Sequence, residues 1–130
     1  MKKVFLGGTC AESTWREKLI SKLKISYFNP VVPDWTEECY QQELKERANC
    51  DYCLYVITPE MQGVYSIAEV VDDSNKQPKK TIFAFGSTSD TGFSKGQIKS
   101  LDKVGKMVER NGGKYFISLE EIADYLNKEE

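Results

Sequence analysis

Residues Asp51 to Thr58 read DYCLYVIT, and this stretch decides the fold. It is the most hydrophobic run in the chain. A strand with one wet face alternates apolar and polar residues, whereas a continuous apolar run needs cover on both faces. We therefore read it as the central strand of a parallel sheet. The loop Pro59 to Gly63 follows, and a helix is predicted over about Tyr65 to Asn75. Lys80 to Phe85 is a second continuous apolar strand.

Working toward the N-terminus, Lys3 to Leu6 is a short apolar run closed by Gly7-Gly8, read as a buried first strand ending in a tight loop. Ser13 or Thr14 can cap a helix in which Trp15, Leu19, Ile20 and Leu23 recur at helical spacing. Ser26 to Phe28 is a short strand. The two prolines of Asn29 to Asp34 mark a loop. Thr36 opens a polar helix reaching about Ala48, without the Glu or Gln that completes a capping box. Toward the C-terminus, Gly86 to Gly96 is rich in Gly, Ser and Thr and reads as a mobile loop. A helix is predicted over about Gln97 to Arg110, stopped by Asn111-Gly112-Gly113. Tyr115 to Ile117 is the last strand, and Ser118 with Glu121 forms a capping box for a final helix.

Strands alternating with helices imply βαβ units. Five strands in 130 residues point to one α/β domain over 1–130, a three-layer, flavodoxin-like fold with a five-stranded parallel sheet. Ligands of such sheets bind beyond the carboxyl ends of the strands, at the topological switch point. That rule brings together Gly7 to Cys10, Pro59 to Gly63 with the next helix start, and the Gly86 loop.

Composition narrows the chemistry. Net charge is −2, with both signs interspersed, so no broad basic surface for nucleic acid is expected. No apolar run approaches the roughly 20 residues that span a bilayer, and MKKVFLGG lacks the apolar length of a signal peptide. A cytoplasmic protein with no membrane partner is expected. The four cysteines fit a reducing compartment. Cys50 and Cys53 form a CxxC that enters a strand rather than opening a helix; Cys53 reads as a small core residue and Cys50 as a cap on the preceding turn. The chain has no histidine, which excludes a Ser-His-Asp triad, a Cys-His dyad and any His-ligated metal. Proton transfer then falls to carboxylates, Tyr, Cys, Lys or water.

Glu69 stands out. It lies early in the helix after the central strand, among Ile67, Ala68, Val70 and Val71, where a carboxylate is costly unless paired or used. A helix-surface glutamate favoured by the N-terminal dipole is the plainer alternative. Glu43 and Asp51 are further acidic candidates, with solvation or turn formation as their ordinary fates. Gly7-Gly8-Thr9 lets a ligand approach backbone but lacks both the GxGxxG and the P-loop pattern. Trp15, Trp35, Tyr55 and Tyr65 are either stacking platforms or core. Arg16 is an anion holder or a surface ion pair. Asp72 and Asp73 read as the solvated face of the Glu69 helix.

Taken together, KVFLGG and CDYCLYVITPEMQGVYSIAE resemble the nucleoside 2-deoxyribosyltransferase family and its shorter nucleotide N-hydrolase relatives over roughly Lys3 to Phe85. YFNPVVPDW and GVYSIAEVVDDS resemble a little-described branch of that superfamily. The resemblance implies cleavage or transfer at an N-glycosidic bond of a nucleoside or nucleotide, with Glu69 as nucleophile and Glu43, or Asp51, as acid. It implies substrate contacts from Gly7, Gly8, Thr9, Gly63, Tyr65 and Ser66. It calls for no metal or organic cofactor, and it implies a homodimer or higher homo-oligomer. Gly63 stands where the family often has a sugar-holding Asp, Tyr65 where it has Gly, and Phe5 where the transferases have a tyrosine; Ser66 keeps a hydroxyl. Two alternatives remain: a module that binds a nucleotide or nucleotide-derived signal without cleaving it, and an NAD-cleaving glycohydrolase, by fold analogy to Toll/interleukin-receptor-type domains.

Overall fold

The computed structural model describes residues 1–10, 14–86 and 92–128. Strands β1 (Lys3–Gly8), β2 (Ser26–Phe28), β3 (Tyr52–Ile57), β4 (Thr81–Phe85) and β5 (Lys114–Phe116) form one sheet in the order β2-β1-β3-β4-β5, every pair parallel. Helices α1 (Trp15–Ile20), α2 (Glu37–Asn49), α3 (Tyr65–Lys76), α4 (Lys95–Arg110) and α5 (Leu119–Lys128) connect or follow them, with a 3₁₀ turn at Pro78–Lys80. This is the expected α/β layering with the flavodoxin-like strand order, and its switch point lies between β1 and β3.

The period of two explains the layers. Val4, Leu6, Tyr52, Leu54, Val56, Ile82 and Ala84 face one way, onto Trp15 and Leu19 of α1 and Ile122 and Leu126 of α5. Phe5, Cys53, Tyr55, Ile57 and Phe83 face the other way, onto Val70 of α3 and Leu101 and Val108 of α4. All six residues of β3 are buried, as a strand covered on both faces requires.

Differences from the sequence reading are local. The strand β1 runs through Gly7 and Gly8, which pair with Tyr55 and Val56, where a loop was expected. Missing side chains make this possible. A Cβ on Gly8 would stand 2.1 Å from the Val56 carbonyl oxygen, and Gly8 has φ 114°. The helix α1 stops at Ile20, and Lys22 and Leu23 continue it as tighter i→i−3 turns. Its capping residue is Thr14, whose side chain makes no cap bond, while Ser13 lies outside the described residues. The helix α4 starts two residues early because Ser94 and Gln97 form a reciprocal capping box. At α5, Ser118 accepts from the Glu121 amide, but Glu121 Oε1 returns to the Ile117 amide. Of the Gly86 to Gly96 loop, residues 87–91 lie outside the described residues. Among the described residues no helix is long and apolar enough to cross a membrane.

The close approach of β1 to β3 sets one expectation. Gly8→Ala should cost at least about 2 kcal/mol, combining a disfavoured φ with a clash against rigid backbone. Urea denaturation would measure it, and an unchanged midpoint would mean that β1 can shift away from Val56.

Candidate active site

The switch point opens into a cleft of about 280 Å³. The carboxyl end of β1 contributes Phe5, Gly7 and Gly8, followed by Cys10; the 30–35 loop contributes Pro30, Val31, Val32 and Trp35; α2 contributes Glu43; the start of α3 contributes Tyr65, Ser66 and Glu69. Arg16 of α1 closes one side.

Two helices deliver the charged groups by the same device. Glu43 and Arg47 are four residues apart on α2, and Glu69 and Asp73 are four apart on α3, so each pair shares one helix face. The two faces meet. Glu43 and Arg47 are the buried residues of α2, which buries no large apolar side chain. Arg47 binds Asp73 through Nη2–Oδ1 at 2.8 Å and Nε–Oδ2 at 3.4 Å. Asp73 also accepts from the Tyr55 hydroxyl at 2.5 Å and from Gln77 Nε2 at 3.0 Å. Asp73 is therefore a buried anchor with β3 below it and α2 beside it. This corrects the expectation that it lies on a solvated face; Asp72 does, pairing with Lys76 at 3.0 Å.

Glu69 is 5 % exposed. Burial, a hydrogen bond to the Glu43 side chain and the charge of Glu43 push its carboxyl up to about 9. Arg47 opposes this shift: its Nη1 lies 3.6 Å from Glu69 Oε2, an ion-pair separation. Yet Oε2 has no hydrogen-bond partner, and Arg47 is engaged more closely by Asp73. Burial and Glu43 prevail, and the Glu69 carboxyl stays raised. Burial alone would lower Arg47, but its hydrogen bonds with Asp73 reverse this and keep it raised. The Tyr55 hydroxyl is raised by burial and by Asp73.

Of the other candidates, Gly7, Gly8, Tyr65 and Ser66 join Glu69 and Glu43 at the cleft. Asp51 does not. It sits at the opposite, amino-terminal edge of the sheet, its Oδ2 accepting from the Lys3 amide at 2.8 Å. It closes the start of β3 onto β1 and is too remote to serve as acid. Thr9 is buried, its Oγ1 accepting from the Thr58 amide at 2.9 Å, so its hydroxyl braces the loop. Gly63 is exposed with open space around it and does not line the cleft. Trp15 and Tyr55 are core, whereas Trp35 and Tyr65 are 56 % and 54 % exposed at the cleft mouth. Arg16 is neither a surface ion pair nor a free anion holder. It is buried and donates to the carbonyls of Leu6, Gly8 and Thr9, holding the end of β1.

Cys50 and Cys53 are free thiols. Cys50 ends α2 and donates to Glu46, while Cys53 is core and donates to the Arg47 carbonyl. Burial pushes both up to about 12, so they are inert at neutral pH. Among the described residues no three His, Cys, Asp or Glu side chains gather as a metal site requires. A second hollow of about 290 Å³, between the ends of β3 and β4 and the start of α5, has Lys18 and Glu120 on its wall but no pair of buried carboxylates.

The model of one protein family, described as nucleoside 2-deoxyribosyltransferase like, matches residues 1–88. The chain belongs to this family. No curated protein and no solved structure matches it. The part matching the nucleoside 2-deoxyribosyltransferase-like family runs from β1 through β4 and contains every residue of the cleft; α4, β5 and α5 lie beyond it.

The raised Glu69 carboxyl has a thermodynamic signature. Unfolded, it titrates near 4.5; folded, near 9. Its favourable contribution is complete below the lower value and is lost as pH rises toward the upper one. Stability should fall between about pH 5 and pH 8.5, and Glu69→Gln should flatten that slope, gaining roughly 3 kcal/mol on wild type near neutrality. Denaturant titrations at several pH values would read this. Parallel slopes would mean that Glu69 is ionised in the folded protein.

Proposed function

We propose that the protein cleaves or transfers the N-glycosidic bond of a nucleoside or nucleotide, with Glu69 as nucleophile and Glu43 as acid. The observation that carries this reading is the pair of buried, hydrogen-bonded carboxylates in an open cleft at the strand ends. Membership of the nucleoside 2-deoxyribosyltransferase-like family supports the substrate class.

Breaking the bond between sugar and base develops positive charge at the anomeric carbon and negative charge on the base. Two carboxyl groups meet both demands, one attacking carbon and the other protonating the leaving group. A single proton suffices. Glu69 passes its proton to Glu43 and becomes the carboxylate that attacks the anomeric carbon. The C–N bond breaks, its electron pair goes to the base, and Glu43 delivers the proton there. A second base (transfer) or water (hydrolysis) then displaces Glu69 from the sugar and returns a proton to Glu43. Side-chain-free Gly7 and Gly8 let a sugar approach the backbone, and the exposed rings of Trp35 and Tyr65 offer faces for a planar base. Ser66 adds an aliphatic hydroxyl to the cleft wall.

A second reading, binding without cleavage, draws on Gly63, which brings no carboxylate to hold sugar hydroxyls and stands outside the cleft.

The test is release of free base from a panel of nucleosides and nucleoside monophosphates, with and without an acceptor base. Glu69→Gln should lower turnover at least about 10³-fold, and Glu43→Gln by about 10²- to 10⁴-fold. The Glu43 defect should shrink with 7-methylguanosine, whose cationic base leaves without protonation. Thermal shifts with no product from any substrate would establish the binding reading instead, and a fully active Glu69→Gln would remove Glu69 from the chemistry.

A further inference from the structure

Glu69 forms part of the wall of two cavities. One is the cleft already described; the other is a small hollow of about 190 Å³ lined by Arg47, Tyr65, Ala68, Glu69 and Asp72. Glu69 Oε2 is buried without a hydrogen-bond partner, and Arg47 Nη1 is 3.6 Å away. A buried carboxylate oxygen with no hydrogen bond is costly, and a structure does not retain it without some compensating circumstance. A group that becomes an anion only during the reaction supplies one. The oxygen is poorly served while Glu69 is protonated and well served once the charge appears beside a fixed guanidinium.

The guanidinium is fixed. Asp73 holds it through two nitrogens, and Tyr55 and Gln77 hold Asp73. Asp72 approaches Nη2 at 3.4 Å from the solvent side. Nη1 is left turned toward Glu69.

We propose that Arg47 is a positioning residue for the nucleophile: anchored by Asp73, it orients Glu69 Oε2 and stabilises the carboxylate that forms when the proton moves to Glu43. The proposal rests on the N-glycosidic reading for the reaction, but the ionisation of Glu69 that it concerns exists without substrate. The charged and titratable groups around Glu69 are Glu43 and Arg47 from α2, Asp72, Asp73 and Tyr65 from its own helix, Arg16 across the cleft from α1, and Cys10 after β1. The residues of β1 on the cleft wall are Phe5, Gly7 and Gly8, none of them titratable. Arg47 is the cation closest to Oε2 among these, so removing its charge has a defined direction.

The experiment follows the carboxyl carbon of Glu69 by ¹³C NMR through a pH titration of the full chain, with Glu69→Gln to assign the signal. Arg47→Gln should raise the midpoint by roughly one unit or more. Arg47→Lys, which keeps the charge and loses the fork, should restore most of it. In the turnover assay Arg47→Gln should lower kcat more than it changes KM and move the acidic limb of the pH profile upward, with partial rescue by Lys. If Arg47→Gln does not fold by circular dichroism, Asp72→Asn decides: removing this exposed counter-charge should lower the Glu69 midpoint. A midpoint unchanged in folded Arg47→Gln, or in Asp72→Asn where that is the variant read, overturns the proposal. So does equal impairment by Gln and Lys. A protein that turns over no nucleoside still gives the titration result, so failure of the enzymatic reading and failure of the Arg47 assignment are distinct.

Discussion

The bond between Arg47 and Asp73 is the constraint on which the cleft depends. The helix α2 brings no large apolar side chain to the interior; what it buries is Glu43 and Arg47. Its seat against α3 is therefore set by charge-assisted hydrogen bonds, which are directional where apolar packing is not. A buried pair of this kind gives little net stability, because desolvating both partners offsets most of their attraction. It gives register instead. With Arg47 on Asp73, the residue one turn earlier on α2, Glu43, faces the residue one turn earlier on α3, Glu69. Two carboxyls come together because an ion pair one turn away holds the helices in step.

The sheet supports that register from below. Tyr55 reaches Asp73 from β3, the strand buried on both faces. Its ring lies against Gly7, where a Cβ would come within 2.6 Å. The bare glycine end of β1 thus makes room for the tyrosine that anchors Asp73.

The architecture was legible in the sequence because it rests on apolar pattern. DYCLYVIT had to be a doubly covered strand, the alternation of strands and helices had to give a parallel sheet, and the switch-point rule placed the cleft at Gly7 and Glu69. Part of the site was legible too, since Glu69 stood in apolar company. Glu43 and Asp51 looked equivalent as acids, because sequence distance does not say which edge of the sheet a residue occupies; β3 runs away from Asp51 and toward the cleft. Arg47 and Asp73 were missed because charged residues in polar segments are by default solvated. Their signal was the matched spacing, Glu-x-x-x-Arg on one helix and Glu-x-x-x-Asp on the next, which becomes informative once the helices are known to be neighbours. The early start of α4 was written in Ser94 and Gln97, a capping pair read at α5 and overlooked here.

The two tryptophans divide between the two parts of this structure. Trp15 is wholly enclosed, its indole nitrogen donating to the Thr9 carbonyl at 3.0 Å. Trp35 stands more than half exposed on the rim of the cleft. Their emission is accordingly of two kinds, a blue component from the core and a red, quenchable one from the rim. The protein carries its own optical probe, in which the red component reports on what enters the cleft while the blue one attests that the fold beneath it is intact.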